Sequence, residues 1–419
     1  MRRRHLTPRC TRWPASVLLA AALSLAGVGC SGSSSSGSSS IGSGAGTTPT
    51  TPSTPVNNTQ FIQVGAGPTG TDVNQLLTSV SICVPGTNTC QTISNVLVDT
   101  GSTGLRLLAS QVTLALPQLN DSNSHPIGNC VAFADNSYAW GPVQTADIEM
   151  AGERASSVSV QLIGATGFPA VPADCNTGGT NNDTVQALGA NGILGVGVLR
   201  QDCGSACATS GSQLPPIYFS CANNTCSVTA VSLQQQLQNP VAVFPQDNNG
   251  LLISLPALAA QGATSISGSM LFGIGTQTDN ALTGVQVYAT DSKGNFTVTF
   301  NGQAYSGSLV DSGSNGIFFL DAATLGIPTC PGTLSFYCPA SAVNYSAIST
   351  GTNGNSGTIA FGIVSAQSLF ATGNTAFNDL GGPNPGAFDI GLPFFYGRPV
   401  YVAIEGQTTT AGSGPYWAY

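Results

Sequence analysis

Two short stretches of the chain set the same pattern around a single carboxylate. Residues 95–106 read NVLVDTGSTGLR and residues 306–320 read SGSLVDSGSNGIFFL. Side by side, VLVDTGSTG and SLVDSGSNG share Leu-Val-Asp-(Ser/Thr)-Gly-Ser-x-Gly. One such stretch is an ordinary surface turn, because Asp, Ser and Gly are common turn formers. Two copies, one in each half and each at the end of an apolar strand, form an internal repeat and point to chemistry. Two carboxylates held about 3 Å apart cannot both ionise, so they share one proton. The ionised member takes a proton from a water between them, and the protonated member donates to the carbonyl oxygen under attack. Asp99 and Asp311 alone have twin contexts and are the candidate catalytic residues. Such a pair titrates as a unit, so the sequence does not assign the proton to either one.

Other catalytic schemes lack material. Beyond the leader described below, His125 is the only histidine, which almost excludes a Ser/His/Asp triad or a multi-histidine metal site. It sits in SNSHPIGN and reads as a solvated loop residue. No phosphate-cradling loop is present, since the Gly-rich stretches follow strands and do not open helices. A glycosidase also pairs carboxylates but has no need of twin Asp-(Ser/Thr)-Gly-Ser loops. No metal and no organic cofactor is expected.

The elements that must hold these loops are strands. Charged residues make up only 7% of the 419 and Gly numbers 52, which argues against bundles and coiled coils. Runs such as SVSVQLIG, FTVTFNGQAY and RPVYVAIEG alternate or cluster β-formers between Gly, Asn and Pro breakers. The best helical stretch is TAVSLQQQLQ, residues 229–238. The length exceeds one ordinary core and suits two lobes.

Residues 1–30 read as a secretory leader: arginines followed by the short apolar run PASVLLAAALSLAGVG. It ends in Gly27-Val28-Gly29-Cys30, so either Cys30 is lipidated or the chain is simply secreted. Residues 31–57 form a Ser/Gly then Thr/Pro linker that buries no core, and no Lys/Arg-rich segment follows it. Past the leader, eighteen acidic side chains face only Arg106, Arg154, Arg200, Lys293 and Arg398. That balance argues against nucleic acid and against anionic lipid headgroups as partners. Ten cysteines remain, an even number in an exported chain, which reads as disulfides. Cys83/Cys90 and Cys330/Cys338 close short loops, and Cys130/Cys175 could close a longer one. Cys203, Cys207, Cys221 and Cys226 have loose zinc-like spacing, but two local disulfides are favoured in an oxidising compartment; the pairing is left open.

On the twin loops the chain resembles the pepsin-like aspartic peptidases. That resemblance implies a mostly β, bilobal fold, two β-barrel-like lobes with a cleft between them, here about 58–240 and 241–419. It implies that Thr100 and Ser312 cross-link the loops and that Ser102 and Ser314 donate to the outer carboxylate oxygens. Gly101 and Gly313 let each loop turn tightly. ANGILGVGV (190–198) and AFDIGLPFFYGRPVYVAIE (387–405) resemble the strands behind the loops, with supporting glycines at Gly195 and Gly391. FADNSYAWGPVQTADIEM (133–150) stands where the family has a flap hairpin, so Phe133, Tyr138 and Trp140 are candidate substrate contacts. The chain also resembles a set of uncharacterised exported bacterial proteins sharing VLVDTGSTGLRLL.

Two features depart from the peptidase pattern. Arg106 stands where the family has a Trp, and is expected either to pair with a flap carboxylate such as Asp135 or to face solvent. The flap also lacks a Tyr-Gly pair. The leading expectation is an exported or lipid-anchored, monomeric aspartic endopeptidase acting on an extended peptide or protein substrate. The others are a protein that binds a peptide or other ligand in the same cleft, and a peptidase narrowed to one partner's processing site. The expected location is the outer membrane or periplasm for a lipoprotein, or outside the cell for a secreted chain.

Overall fold

The computed structural model describes residues 58–209, 213–332 and 335–419. The leader, the linker and Cys30 lie outside the described residues. In the first half the strands are β1 (Thr59–Gly65), β2 (Gln75–Cys83), β3 (Cys90–Asp99), β4 (Thr103–Leu108) and β5 (Ile127–Ala132). They continue with β6 (Tyr138–Met150), β7 (Glu153–Ile163), β8 (Gly192–Val196), β9 (Tyr218–Ala222) and β10 (Thr225–Val228). The second half carries β11 (Gly250–Ser254), β12 (Ile266–Phe272), β13 (Val287–Ala289), β14 (Phe296–Phe300), β15 (Gln303–Asp311) and β16 (Ile317–Leu320). After them come β17 (Val343–Thr350), β18 (Ser356–Ile363), β19 (Gly381–Gly382), β20 (Asn384–Gly391), β21 (Pro399–Ala403) and a late strand, Tyr416–Ala418. The fold is mostly β, as the Gly- and Pro-punctuated runs of β-formers predict.

The strands form two large sheets. One has 15 strands in the order β10-β9-β5-β6-β7-β4-β8-β3-β2-β1-β12-β11-β21, followed by the late strand and β13. The other has 7, in the order β18-β17-β14-β15-β20-β16-β19. The larger sheet runs through both halves of the chain, because β1 lies antiparallel to β12 with Ile62 opposite Gly268. One-faced strands such as FTVTF in β14 alternate buried and half-buried residues. By contrast GILGV in β8 is buried throughout, as a strand enclosed on both faces must be.

Two three-strand units repeat. In the first, β8 runs parallel to β3, with Asp99 opposite Gly195, and antiparallel to β4, with Gly104 opposite Gly195. In the second, β20 runs parallel to β15, with Asp311 opposite Gly391, and antiparallel to β16, with Ile317 opposite Ile390. Each Asp therefore leaves its strand at the same step beside a threading strand. The glycine at that step is compulsory. A Cβ on Gly195 would lie 2.6 Å from the Thr103 nitrogen, and one on Gly391 would lie 2.0 Å from the Gly316 carbonyl oxygen.

Two expectations change. Residues 229–238 form no helix, only a turn in which Gln235 and Gln236 donate to the Ser232 carbonyl at 2.9 and 3.1 Å. The Tyr218 hydroxyl takes the Leu237 N–H at 2.7 Å and Leu237 is buried, so the turn cannot propagate. The hairpin placed at 133–150 is displaced: its strands are β5 and β6, paired from Gly128↔Pro142 to Ala132↔Tyr138, with the turn at 133–137. The cysteines pair as Cys83–Cys90, Cys130–Cys175, Cys203–Cys207, Cys221–Cys226 and Cys330–Cys338. Five disulfides fit folding in an oxidising compartment. Among the described residues no helix is long and apolar enough to cross a membrane.

Candidate active site

The two repeated units bring Asp99 and Asp311 face to face. The loops hold each other by four reciprocal hydrogen bonds. The Thr100 amide donates to Ser312 Oγ at 3.1 Å, and the Ser312 amide donates to Thr100 Oγ1 at 2.9 Å. In turn Thr100 Oγ1 donates to the Val310 carbonyl at 3.0 Å, and Ser312 Oγ to the Val98 carbonyl at 2.7 Å. Both residues are buried, so each bond replaces one to water and neither loop can shift without leaving polar groups unmet.

Within each loop the carboxylate is held the same way. The Gly101 amide donates to Asp99 Oδ1 at 2.8 Å and the Gly313 amide to Asp311 Oδ1 at 2.8 Å. Ser102 Oγ donates to Asp99 Oδ2 at 2.5 Å, and Ser314 Oγ lies 2.9 Å from Asp311 Oδ2. Each carboxylate also sits directly over the opposing glycine. A Cβ on Gly101 would lie 2.6 Å from Asp311 Cγ, and one on Gly313 would lie 2.7 Å from Asp99 Oδ1. Glycine is needed here for room.

Burial pushes the Asp99 carboxyl well above the ordinary 3.8, and the neighbouring Asp311 adds to this as a charge and as a hydrogen-bond partner. The Ser102 hydroxyl and the Gly101 amide pull it back down. Gly101 itself is exposed and Asp311 half-buried, so the pair has a solvent-facing side. The arrangement can hold one proton between two acids beside water, which is what general acid–base hydrolysis asks for.

Residues 54–419 match the family described as Protein of unknown function (DUF3443). The chain belongs to that family. No curated protein matches it. In this DUF3443 protein Arg106 neither faces solvent nor meets Asp135. It is buried, with Nη2 3.2 Å from Asp202 Oδ2 and Nη1 donating to Asn129 Oδ1 at 2.5 Å and Gln161 Oε1 at 2.7 Å. Asp202 also accepts from Asn129 Nδ2 at 3.1 Å and from the Tyr218 hydroxyl at 2.5 Å. Burial pushes its carboxyl up, while Arg106, Tyr218 and Asn129 draw it back. A buried cation is tolerated only with such partners. Asp135 instead accepts from the amide and hydroxyl of Ser137 at 2.8 and 2.6 Å.

The hairpin over residues 127–142 is pinned on the outside. β9 pairs with β5, placing Gly128 opposite Phe219, and Cys130 is joined to Cys175. Near the turn, the Asn136 carbonyl accepts from Thr177 Oγ1 at 2.6 Å and the Tyr138 amide donates to the Thr180 carbonyl at 2.9 Å. Tyr138 and Trp140 are buried in a layer with Cys130, Cys175 and Phe219, and Trp140 Nε1 donates to the Pro169 carbonyl at 2.9 Å. Phe133 packs beside the Leu108, Ala139 and Ile163 cluster.

One residue beside the pair escaped the sequence reading. Asp389 of β20 lies with Oδ2 2.6 Å from Ser314 Oγ. Burial pushes its carboxyl well up, with Asp311 and then Asp99 adding as like charges against the pull of Ser314. Its signal was the Asp two residues before Gly391 in AFDIG, where GILG of the first half has Ile193.

Proposed function

We propose that this chain is an exported aspartic endopeptidase of the bilobal pepsin-like type, hydrolysing peptide bonds with a water activated between Asp99 and Asp311. The observation that carries the reading is the reciprocal grip of Thr100 and Ser312, with each carboxylate seated over the other loop's glycine. A module that only bound a ligand would have no need of two acids forced to share a proton. In the reaction, one carboxylate draws a proton from the water as its oxygen attacks the carbonyl carbon. The other gives its proton to the carbonyl oxygen. Collapse of the tetrahedral species then protonates the departing nitrogen and regenerates the shared proton. The substrate is a peptide or protein chain, met by a monomer. If Cys30 is lipidated, the 31–57 linker tethers the enzyme at the outer membrane or in the periplasm; otherwise it is secreted.

The pinned hairpin favours a second reading. The outer edge of β5 is already occupied by β9, so strand addition there, the usual way for a hairpin to capture extended peptide, is closed. A protein that binds a peptide or other ligand without cutting it, or a peptidase narrowed to one processing site, fits that restriction.

The test is cleavage of a mixed peptide library from about pH 3 to about pH 7, with pepstatin binding measured alongside. Cleavage abolished by Asp99→Asn establishes the peptidase. Pepstatin binding without cleavage points to the narrowed peptidase, because its hydroxyl takes the place of the attacking water. Neither cleavage nor binding by the folded protein leaves the ligand-binding reading.

A further inference from the structure

Ser314 Oγ stands between two carboxylates. It is 2.9 Å from Asp311 Oδ2 and 2.6 Å from Asp389 Oδ2. A hydroxyl has one proton to donate, so it satisfies only one of these acceptors. With both acids ionised, the other contact would be oxygen against oxygen with no proton between. The shorter contact suits a carboxylic O–H donating to Ser314 Oγ. The remaining oxygen, Asp389 Oδ1, is shielded from solvent and has no partner, which a neutral acid's carbonyl tolerates far better than a carboxylate does. The charges reaching Asp389 are both negative: Asp311 on β15 and Asp99 on the facing loop. Among the described residues, β16 sets Phe318 opposite it and β19 contributes only Gly381 and Gly382.

We propose that Asp389 is a third, proton-bearing carboxyl of the site, a positioning residue that acts on Asp311 through Ser314. The inference rests on the peptidase reading for its effect on rate, but not for the proton itself. While Asp389 keeps its proton, Asp389 donates to Ser314 and Ser314 to Asp311. Three acids then hold two protons and one negative charge. When pH rises and a further proton leaves, Asp389 competes for the Ser314 proton and Asp311 loses its donor. Activity is thereby confined to acid conditions. In the first half no such competition exists, because Ile193 occupies the equivalent place and Ser102 serves Asp99 alone.

The experiment is a pH titration of the full chain carrying carboxyl-labelled Asp, followed by carbon NMR, for wild type, Asp389→Asn and Asp389→Ile. The pH–rate profile of peptide cleavage is recorded on the same samples. The Ile variant copies the first half and serves if the Asn variant does not fold. The expected result is a carboxyl signal that stays protonated well above the range of the surface acids and is missing from both variants. In addition, the alkaline limb of cleavage should move up by about one pH unit when Asp389 is removed. An Asp389 signal titrating with the surface carboxyls, or an alkaline limb unmoved in both variants, overturns the proposal. Should wild type cut no peptide at any pH, the peptidase reading fails, and the NMR signal still decides whether Asp389 holds its proton.

Discussion

Opposite Ile193 of the first threading strand stands Arg106; opposite Asp389 of the second stands Phe318. These four residues occupy equivalent steps of two equivalent three-strand units, and the units bury different ionisable groups. In the first, the group is the Arg106 guanidinium, met by Asp202, Asn129 and Gln161. In the second, it is the Asp389 carboxyl, touching the loop's own serine. The backbone frame and the Thr100/Ser312 grip are common to both. Repetition thus sets where the two Asp residues stand, while the unrepeated side chains give the two units different surroundings.

The largest effect should come from the shared part. Gly101→Ala or Gly313→Ala would drive a methyl into the opposing carboxylate, and each should lower peptide hydrolysis by more than about 10²-fold, read as kcat/KM at acid pH. If only one glycine proves sensitive, the loops are less equivalent than their contacts imply.

The first half's private device is tested through stability. Arg106→Leu leaves Asp202 buried without its cation and should cost about 3–5 kcal/mol in denaturant unfolding. Removing Asp202 as well should restore part of this, since the charge left behind is then gone. A Leu variant as stable as wild type would show that the buried network holds nothing.

Covalent pinning comes next, and the disulfides should rank by the loop they close. Replacing Cys130 and Cys175 by Ser opens a 45-residue separation, for which chain entropy gives about 4 kcal/mol. The same change at Cys203 and Cys207, separated by only 4 residues, should cost about 2 kcal/mol. Equal losses would mean that the hairpin is held by β9 and the 177–182 loop alone.

The smallest effect is a slope. Asp99 and Asp389 both have raised values in the folded state, so the folded chain binds more protons than the unfolded one above the ordinary 3.8. Their stabilising contribution is complete below that value and is lost as pH rises through their folded values. Unfolding midpoints measured from about pH 4 to about pH 7 should fall, and should fall less steeply in Asp389→Asn. A steeper fall in the variant would contradict the assignment of that proton.

What the sequence disclosed follows the same division. The twin Asp loops and their supporting glycines are visible because they occur twice, and a repeat is self-checking. Arg106 was visible only as an oddity: its partners Asn129, Gln161 and Asp202 lie far along the chain, and nothing local announces them. The stretch 229–238 misled for the opposite reason. Its Gln-rich composition favours helix locally, yet Leu237 is pulled into the cluster with Tyr218 and Val231, and tertiary burial wins. The burial of Tyr138 and Trp140 against Cys175 and Phe219 was likewise hidden from the sequence, because Cys175 and β9 lie far along the chain.

The central claim is that Asp99 and Asp311 work as one unit, and the most direct measurement is a double-mutant comparison of peptide hydrolysis. Asp99→Asn, Asp311→Asn and the double variant should each lose about 10³-fold or more, with the double no worse than either single. Losses that multiply, or a single variant that still cuts at the wild-type rate, would contradict a shared proton between the two.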